Sequence, residues 1–263
     1  MIKLVVSDID GTLLKEGTDQ INPEMFDAIR QMRARGILFA ASSGRQYASM
    51  RHVFEPVAND MIFIAENGSN VMCRGKNMSC DYMDQSVAEE LLQYLHEQGD
   101  YKIILSTPET MYLDTPDEGF YQMLTEGYHN KAERVENLLP YCSHTNKMAV
   151  YHLEKIEEFE AQLKEKFGDR LNVMIAGTYW VDFMNRSVDK GKAVETIQKI
   201  MKISKEETMA FGDNCNDIAM LLQSGESYAV ANAHPQLKEI AKHIAPSYAE
   251  DGVLQVIKEK VLG

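Results

Sequence analysis

Val5-Val6-Ser7-Asp8-Ile9-Asp10-Gly11-Thr12-Leu13 is the stretch from which the rest of this chain can be read. It completes an apolar run, Ile2 to Val6, of the kind shown by a strand buried on both faces of a parallel sheet. The run stops at two carboxylates one residue apart, followed by a glycine and a hydroxyl residue. Two acids at a strand end repel each other, so a cation is expected beside them. In open α/β sheets, ligands bind at the carboxyl ends of the strands. Acids, a turn glycine and a hydroxyl at such a place point to a metal-assisted site for a phosphate group.

The same grammar returns further along. Asn22-Pro23-Glu24 caps a helix that Gly36 stops, and Ile37 to Ala41 form a second buried run ending in Ser42-Ser43-Gly44-Arg45. Backbone N–H groups and a serine hydroxyl at that turn suit a phosphoryl oxygen. A third run, Met61 to Ala65, ends in Glu66-Asn67-Gly68 and leads into a hairpin, Ser69 to Cys73 and Lys76 to Cys80. Much later, Asp189-Lys190-Gly191-Lys192 opens a helix, where Lys190 can place an ammonium beside a phosphate and Lys192 is its local competitor. Met209-Ala210-Phe211 then closes in Gly212-Asp213-Asn214-Cys215-Asn216-Asp217. Three oxygen-bearing side chains behind a glycine suit magnesium, and the spacing excludes an EF-hand.

Between these segments the pattern changes. A helix through Val87, Leu91, Leu92 and Leu95 precedes short strands at Ile103 to Leu105 and Met111 to Leu113. A polar, irregular part is expected from Thr115 to Thr145. A strand at Met148 to His152, a helix at Ile156 to Phe167 and strands near Leu171 to Ile175 and Tyr179 to Phe183 follow. The fold expected is therefore α/β: a Rossmann-like parallel-sheet core, residues 1–83 and 187–263, with an inserted α+β domain at 84–186. Gly177, Tyr179 and Trp180 fall on the last hairpin of the insert, with Trp180 read as core. Tyr112, Tyr121, His129, Tyr141 and His144 are the insert residues able to face a ligand, though each reads first as a core or surface side chain.

The 40 acidic residues outnumber the 27 basic ones, for a net charge of -13, which argues against a nucleic-acid binder. Four cysteines without a CxxC and seven histidines without an HxxxH make zinc a poor fit. Cys73 and Cys80 could meet across the hairpin, but reduced thiols are expected. Met1 runs into Ser7-Asp8 too soon for a signal-peptide core, and no apolar run approaches the roughly 18 residues of a membrane helix. A cytoplasmic protein with no membrane partner, a monomer or weak homodimer, is expected.

Asp-x-Asp-Gly-Thr at Asp8 resembles the first motif of the haloacid dehalogenase-like phosphatase superfamily, and further motifs follow in order. Ser43-Gly44-Arg45 resembles the second motif, with Ser42 the less favoured serine. Asn67-Gly68-Ser69 stands where the family often has Asn-Gly-Ala, Lys190 matches the third motif, and Gly-Asp-x-x-Asn-Asp from Gly212 matches the fourth. The insert resembles the larger α/β cap of the Cof-type branch. The resemblance implies Mg²⁺ held by Asp8, Asp213 and the backbone carbonyl of Asp10, with Asn216 or Asp217 as a ligand or a water-bridged neighbour. It implies Asp8 as the nucleophile of an aspartyl-phosphate and Asp10 as the acid that protonates the leaving oxygen and then activates water. Lys190, Ser43, Gly44 and Gly11 would bind the phosphoryl group. Thr12, Arg45 and Asn67 would support them, Thr12 by fixing the turn and Asp10. The insert would act as a specificity lid over small phosphorylated metabolites, sugar phosphates first, with nucleotide or flavin phosphates behind. A phosphomutase of the same superfamily and a catalytically idle sugar-phosphate-binding protein are the alternatives. Dehalogenation is disfavoured, because a second acid at Asp10 is what phosphoryl transfer requires.

Overall fold

A computed structural model of the chain describes residues 1–15, 18–99, 101–152, 156–176 and 178–263. Its internal contacts divide it into two compact units. Met1–Arg45, Met50–Ser79 and Asp189–Gly263 form the first, Gln46–Ser49 and Cys80–Val188 the second. No helix of the described residues is long and apolar enough to cross a membrane.

The first unit is built on an eight-stranded sheet. Across it run His243–Ala245, Glu226–Val230, Thr208–Gly212, Leu4–Asp8, Leu38–Ser42, Ile62–Ala65, Asn70–Cys73 and Lys76–Cys80. The first six are parallel, and Asn70–Cys73 turns back antiparallel on Ile62–Ala65. Leu4–Asp8 is central, and Leu4, Val5 and Val6 are fully buried, as a strand covered on both faces must be. The strand extends two residues beyond the apolar run, so Asp8 is its last member and pairs with Ser42.

From that strand the chain winds to one side through the helix Pro23–Ala34 into Leu38–Ser42, with Asn22 accepting from the Glu24 amide as the expected cap. After the second unit it resumes through the helix Lys190–Met201 and enters Thr208–Gly212 on the opposite side of Leu4–Asp8. The winding direction reverses between those two strands. Such a reversal opens a crevice at the strand ends, and Asp8 and Asp213 flank it. The outermost strand, His243–Ala245, was not expected from sequence; two of its three residues are exposed.

The second unit has a six-stranded sheet in the order Leu171–Ile175, Trp180–Asn185, Lys147–Tyr151, Lys102–Ser106, Met111–Leu113, Ala132–Arg134. All its pairs are antiparallel except the last. The helices Gln85–Gln98 and Ile156–Phe167 bury Leu91, Leu95, Phe159 and Phe167 against one face of it. The stretch expected to be irregular, Thr115 to Thr145, instead contains the helix Glu118–Gln122, the strand Ala132–Arg134 and a 3₁₀ segment, Leu139–His144. Phe120 and Leu124, buried against Ile104 and Ala149, supply the apolar anchor that orders it. Trp180 packs against this small cluster. Tyr112 stacks on Tyr141, which also meets His144 edge-on, while Tyr121 donates to the Ala132 carbonyl and carries Arg134 over its ring. Gly177 lies outside the described residues. Cys73 and Cys80 are thiols and are not joined in a disulfide.

Candidate active site

Each strand end at the crevice delivers one polar group, and the groups are held by partners distant in sequence. Asp8 is 5% exposed, and its Oδ1 accepts a hydrogen bond from Lys190 Nζ at 2.6 Å. The same ammonium donates to Asp217 Oδ1 at 2.6 Å. Lys190 is the first residue of its helix and is fully enclosed, while Lys192 is exposed. Asp189 caps that helix by accepting from the Lys192 amide. Gly68, at φ +105°, lies so close to this turn that a Cβ would stand 2.5 Å from the Asp189 carbonyl oxygen. The Asn-Gly turn thus seats the lysine-bearing helix.

Burial pushes the Lys190 ammonium toward losing its proton, yet Asp217 and Asp8 outweigh it and raise its pKa above the usual lysine value. Burial, with repulsion from Asp217 and Asp213, raises the Asp8 pKa well above the carboxylate range despite Lys190. Asp213 is pushed up to about 6, chiefly by burial and then by Asp217. Carboxyl oxygens of Asp8, Asp213 and Asp217 lie within 4.8 Å of one another. One buried ammonium does not balance three acids.

A divalent cation fits this donor set. Asp8 Oδ2 is buried and has no hydrogen-bond partner among the described residues, and hard carboxylate oxygens are what Mg²⁺ selects. Asp213 Oδ1 accepts a hydroxyl bond from Thr12 at 3.1 Å. Thr12 therefore supports Asp213 and not Asp10, correcting the sequence expectation. Asp217 is placed differently from a free ligand. Its Oδ1 serves Lys190, and its Oδ2 accepts from the Asp213 and Asn214 amides at 3.0 and 3.2 Å. It shapes the loop and orients the ammonium. Asn216 is exposed, and its Nδ2 donates to Asn67 Oδ1 at 3.3 Å.

Gly11 makes the close approach of these loops workable. At φ +82° it presents backbone to Asp213, and a Cβ there would stand 2.4 Å from Asp213 Oδ2. Asn232 Nδ2 donates to the Gly11 carbonyl at 2.7 Å and holds the loop from the far side. That contact was missed from sequence, although Asn232 begins the Asn-Ala-His-Pro phrase before a helix.

Asp10 has its own cation. Arg45 Nε and Nη2 donate to the two Asp10 oxygens at 2.9 and 2.7 Å, a bidentate fork. Arg45 Nη1 also bonds Asp19 at 2.5 Å, and Nη2 reaches the Thr18 carbonyl. Burial disfavours this guanidinium, but bonds to Asp10 and Asp19 prevail and raise its pKa. Ser43 Oγ lies 3.4 Å from Asp10 Oδ2 and accepts from the Arg45 amide. Ser42 Oγ is buried on the strand. Gly44 packs close to Asn67, whose Nδ2 a Cβ would approach to 3.2 Å. The Asp-x-Asp repulsion is thus answered twice, by Lys190 on Asp8 and by Arg45 on Asp10. Asp19 was missed from sequence because nothing around it marks it as a partner of Arg45.

A model of the haloacid dehalogenase-like hydrolase family matches residues 5–257. The 5-amino-6-(5-phospho-D-ribitylamino)uracil phosphatase YbjI of Escherichia coli K12 is 30% identical over 262 residues, covering 99% of this chain and 96% of that protein. An HMP-PP phosphatase of Klebsiella pneumoniae is 26% identical over 254 residues, 93% of this chain and 89% of its own length. A crystal structure from Eubacterium rectale superimposes with a TM-score of 0.90 at 30% identity, covering 98% of both chains.

Proposed function

The chain belongs to the haloacid dehalogenase-like hydrolases and is a phosphatase of that superfamily, and from this premise we propose that it hydrolyses small phosphorylated metabolites with Mg²⁺ through a phosphorylated Asp8. The observation that carries the reading is the Asp8 carboxylate: buried, oriented by Lys190 through Oδ1, and without a hydrogen-bond partner at Oδ2 among the described residues.

Asp8, Asp213 and the Asp10 carbonyl would hold the cation, with Asn216 or Asp217 at its periphery. Bound there, Mg²⁺ supplies positive charge that offsets the repulsion between a phosphate and a carboxylate. The remaining chemistry belongs to the chain. An Asp8 oxygen forms a bond to phosphorus as the ester P–O bond breaks. A proton from Asp10 goes to the leaving oxygen, and Asp10 then takes one from the water that attacks the aspartyl-phosphate. Arg45 holds both Asp10 oxygens in this structure, so one of them would have to leave the guanidinium before Asp10 carries a proton. Lys190 and the Ser43 hydroxyl, with the amides around Gly11 and Gly44, would meet the phosphoryl oxygens. The second unit would select the leaving group. Sugar phosphates are the first substrate class, as the ribityl phosphate in the name of the Escherichia coli relative suggests.

Phosphate release from a panel of sugar, nucleotide and aryl phosphates, with Mg²⁺ and then with EDTA, tests this directly. Release that depends on the metal is expected. Release unaffected by EDTA would refute the metal's part, and transfer to a second sugar without free phosphate would identify a mutase.

The raised carboxylates add a prediction with a definite sign. Between the usual 3.8 and about 6, folded Asp213 holds a proton that the unfolded chain has lost. Stability of the metal-free protein therefore falls as pH rises through that window. A cation bound to the ionised acids restores it. Mg²⁺ should raise the melting temperature by several degrees at about pH 7.5 and far less at about pH 5. Equal shifts at both pH values would show that the ion binds elsewhere.

A further inference from the structure

Asn232-Ala233-His234-Pro235 takes no part in the chemistry at Asp8, yet it touches both loops that carry the acids. It follows the strand Glu226–Val230, which pairs with Thr208–Gly212, and so lies beyond the carboxyl edge of the sheet, where the site is built. All the groups concerned belong to the first unit. Asn232 Nδ2 donates to the Gly11 carbonyl at 2.7 Å, and two residues on the His234 amide donates to the Asp213 carbonyl, also at 2.7 Å. Asn232 Oδ1 accepts from the Tyr248 amide at 3.3 Å, which decides the end of the side chain that meets Gly11.

Gly11 needs such a hold. A glycine takes either sign of φ with similar ease, so nothing local selects its +82°. Its own N–H donates to the Leu14 carbonyl at 2.7 Å, and with Asn232 both backbone polar groups of Gly11 are tied. The peptide on its amino side is planar and carries the Asp10 carbonyl, so the bond to Leu14 sets the direction of that oxygen. The peptide on its carboxyl side leads to Thr12, whose hydroxyl reaches Asp213. Asn232 is exposed, and a hydrogen bond open to water adds little to stability. Its effect is on geometry.

We propose that Asn232 is a positioning residue for the cation: by holding Gly11 against the Asp213 loop, it keeps the Asp10 carbonyl, Thr12 and Asp213 in the arrangement that takes up Mg²⁺. The proposal rests on the metal part of the phosphatase reading above. Groups that hold metal ligands in place change affinity by roughly 10- to 100-fold when altered.

The test is Mg²⁺ affinity by isothermal titration calorimetry near neutral pH, on the unsubstituted protein, Asn232→Ala and Asn232→Asp, with a thermal melt of each in EDTA. Asn232→Ala should bind Mg²⁺ roughly 10- to 100-fold more weakly, with a metal-free melting temperature within about 4 °C of the unsubstituted protein. Asn232→Asp keeps the shape and the acceptor for the Tyr248 amide, but sets an anionic oxygen against the Gly11 carbonyl. It should bind Mg²⁺ no more tightly than Asn232→Ala, although a further negative charge near a cation would by itself strengthen binding. Affinity within about threefold in Asn232→Ala, or tighter binding than the unsubstituted protein in Asn232→Asp, overturns the proposal. A lower metal-free melting temperature with unchanged affinity assigns Asn232 to the fold alone and overturns it too. Absence of Mg²⁺ binding by the unsubstituted protein overturns the metal reading, and the proposal with it.

Discussion

Asp8→Asn is expected to lower phosphate release by on the order of 10⁴-fold or more while raising the melting temperature of the metal-free protein. The first effect follows from removing the oxygen nucleophile. The second follows from the environment. Burial, joined by Asp217 and Asp213, makes the ionised carboxylate the unfavourable form, with Lys190 compensating only in part. An amide of the same shape carries no charge to desolvate, and Lys190 keeps its bond to Asp217. Phosphate release at saturating Mg²⁺ and a thermal melt in EDTA provide the two readings. Activity within tenfold of the unsubstituted protein would rule out Asp8 as nucleophile. A lower melting temperature would mean that the Lys190 contact outweighs the cost of burial.

The second large effect is at the other end of that hydrogen bond. Lys190→Met should destabilise the metal-free protein by about 3–5 kcal/mol near neutral pH, because it leaves buried carboxylates without their cation. It should also abolish turnover, since a phosphoryl oxygen loses its buried ammonium. The destabilisation has a signature that lost packing lacks. It should shrink at about pH 4.5, where the stranded acids take up protons, and Mg²⁺ should restore part of it at neutral pH. Denaturant midpoints at the two pH values, with and without the ion, measure this. A loss that is the same at both would assign Lys190 a packing role. The two substitutions thus move stability in opposite directions, so their double variant measures how tightly the pair is coupled.

The α/β class was legible because fully buried parallel strands leave continuous apolar runs, and three such runs each end in small polar residues. Short elements were not. Ala132–Arg134 and His243–Ala245 have three residues each, too few for a period to show, and both form by pairing with strands distant in the chain. At the site, residue types at strand ends could be read, but the direction of each side chain could not. Thr12 finds Asp213 across 201 residues of sequence, and no spacing rule predicts that choice over its neighbour Asp10. Asp217 was indistinguishable from a ligand on paper, because an oxygen count does not reveal that both oxygens are already committed. Arg45 was named only as support, since its hold on Asp10 depends on a loop that also brings Asp19 to it.

The position of Leu4–Asp8 at the centre of its sheet has a consequence during synthesis. One edge of this strand is covered early, by Leu38–Ser42, but its other neighbour begins only at Thr208. At about 5–20 residues per second, a ribosome takes roughly 10–40 s to cover that interval. Throughout it, an apolar strand stands with one row of backbone donors and acceptors open, a template for another nascent chain. Lys190, 182 residues after Asp8, also arrives late. Truncated or stalled chains that end before Thr208 should therefore be sticky and inert, because the strand that covers the open edge of Leu4–Asp8 and the Asp213 that follows it are made together.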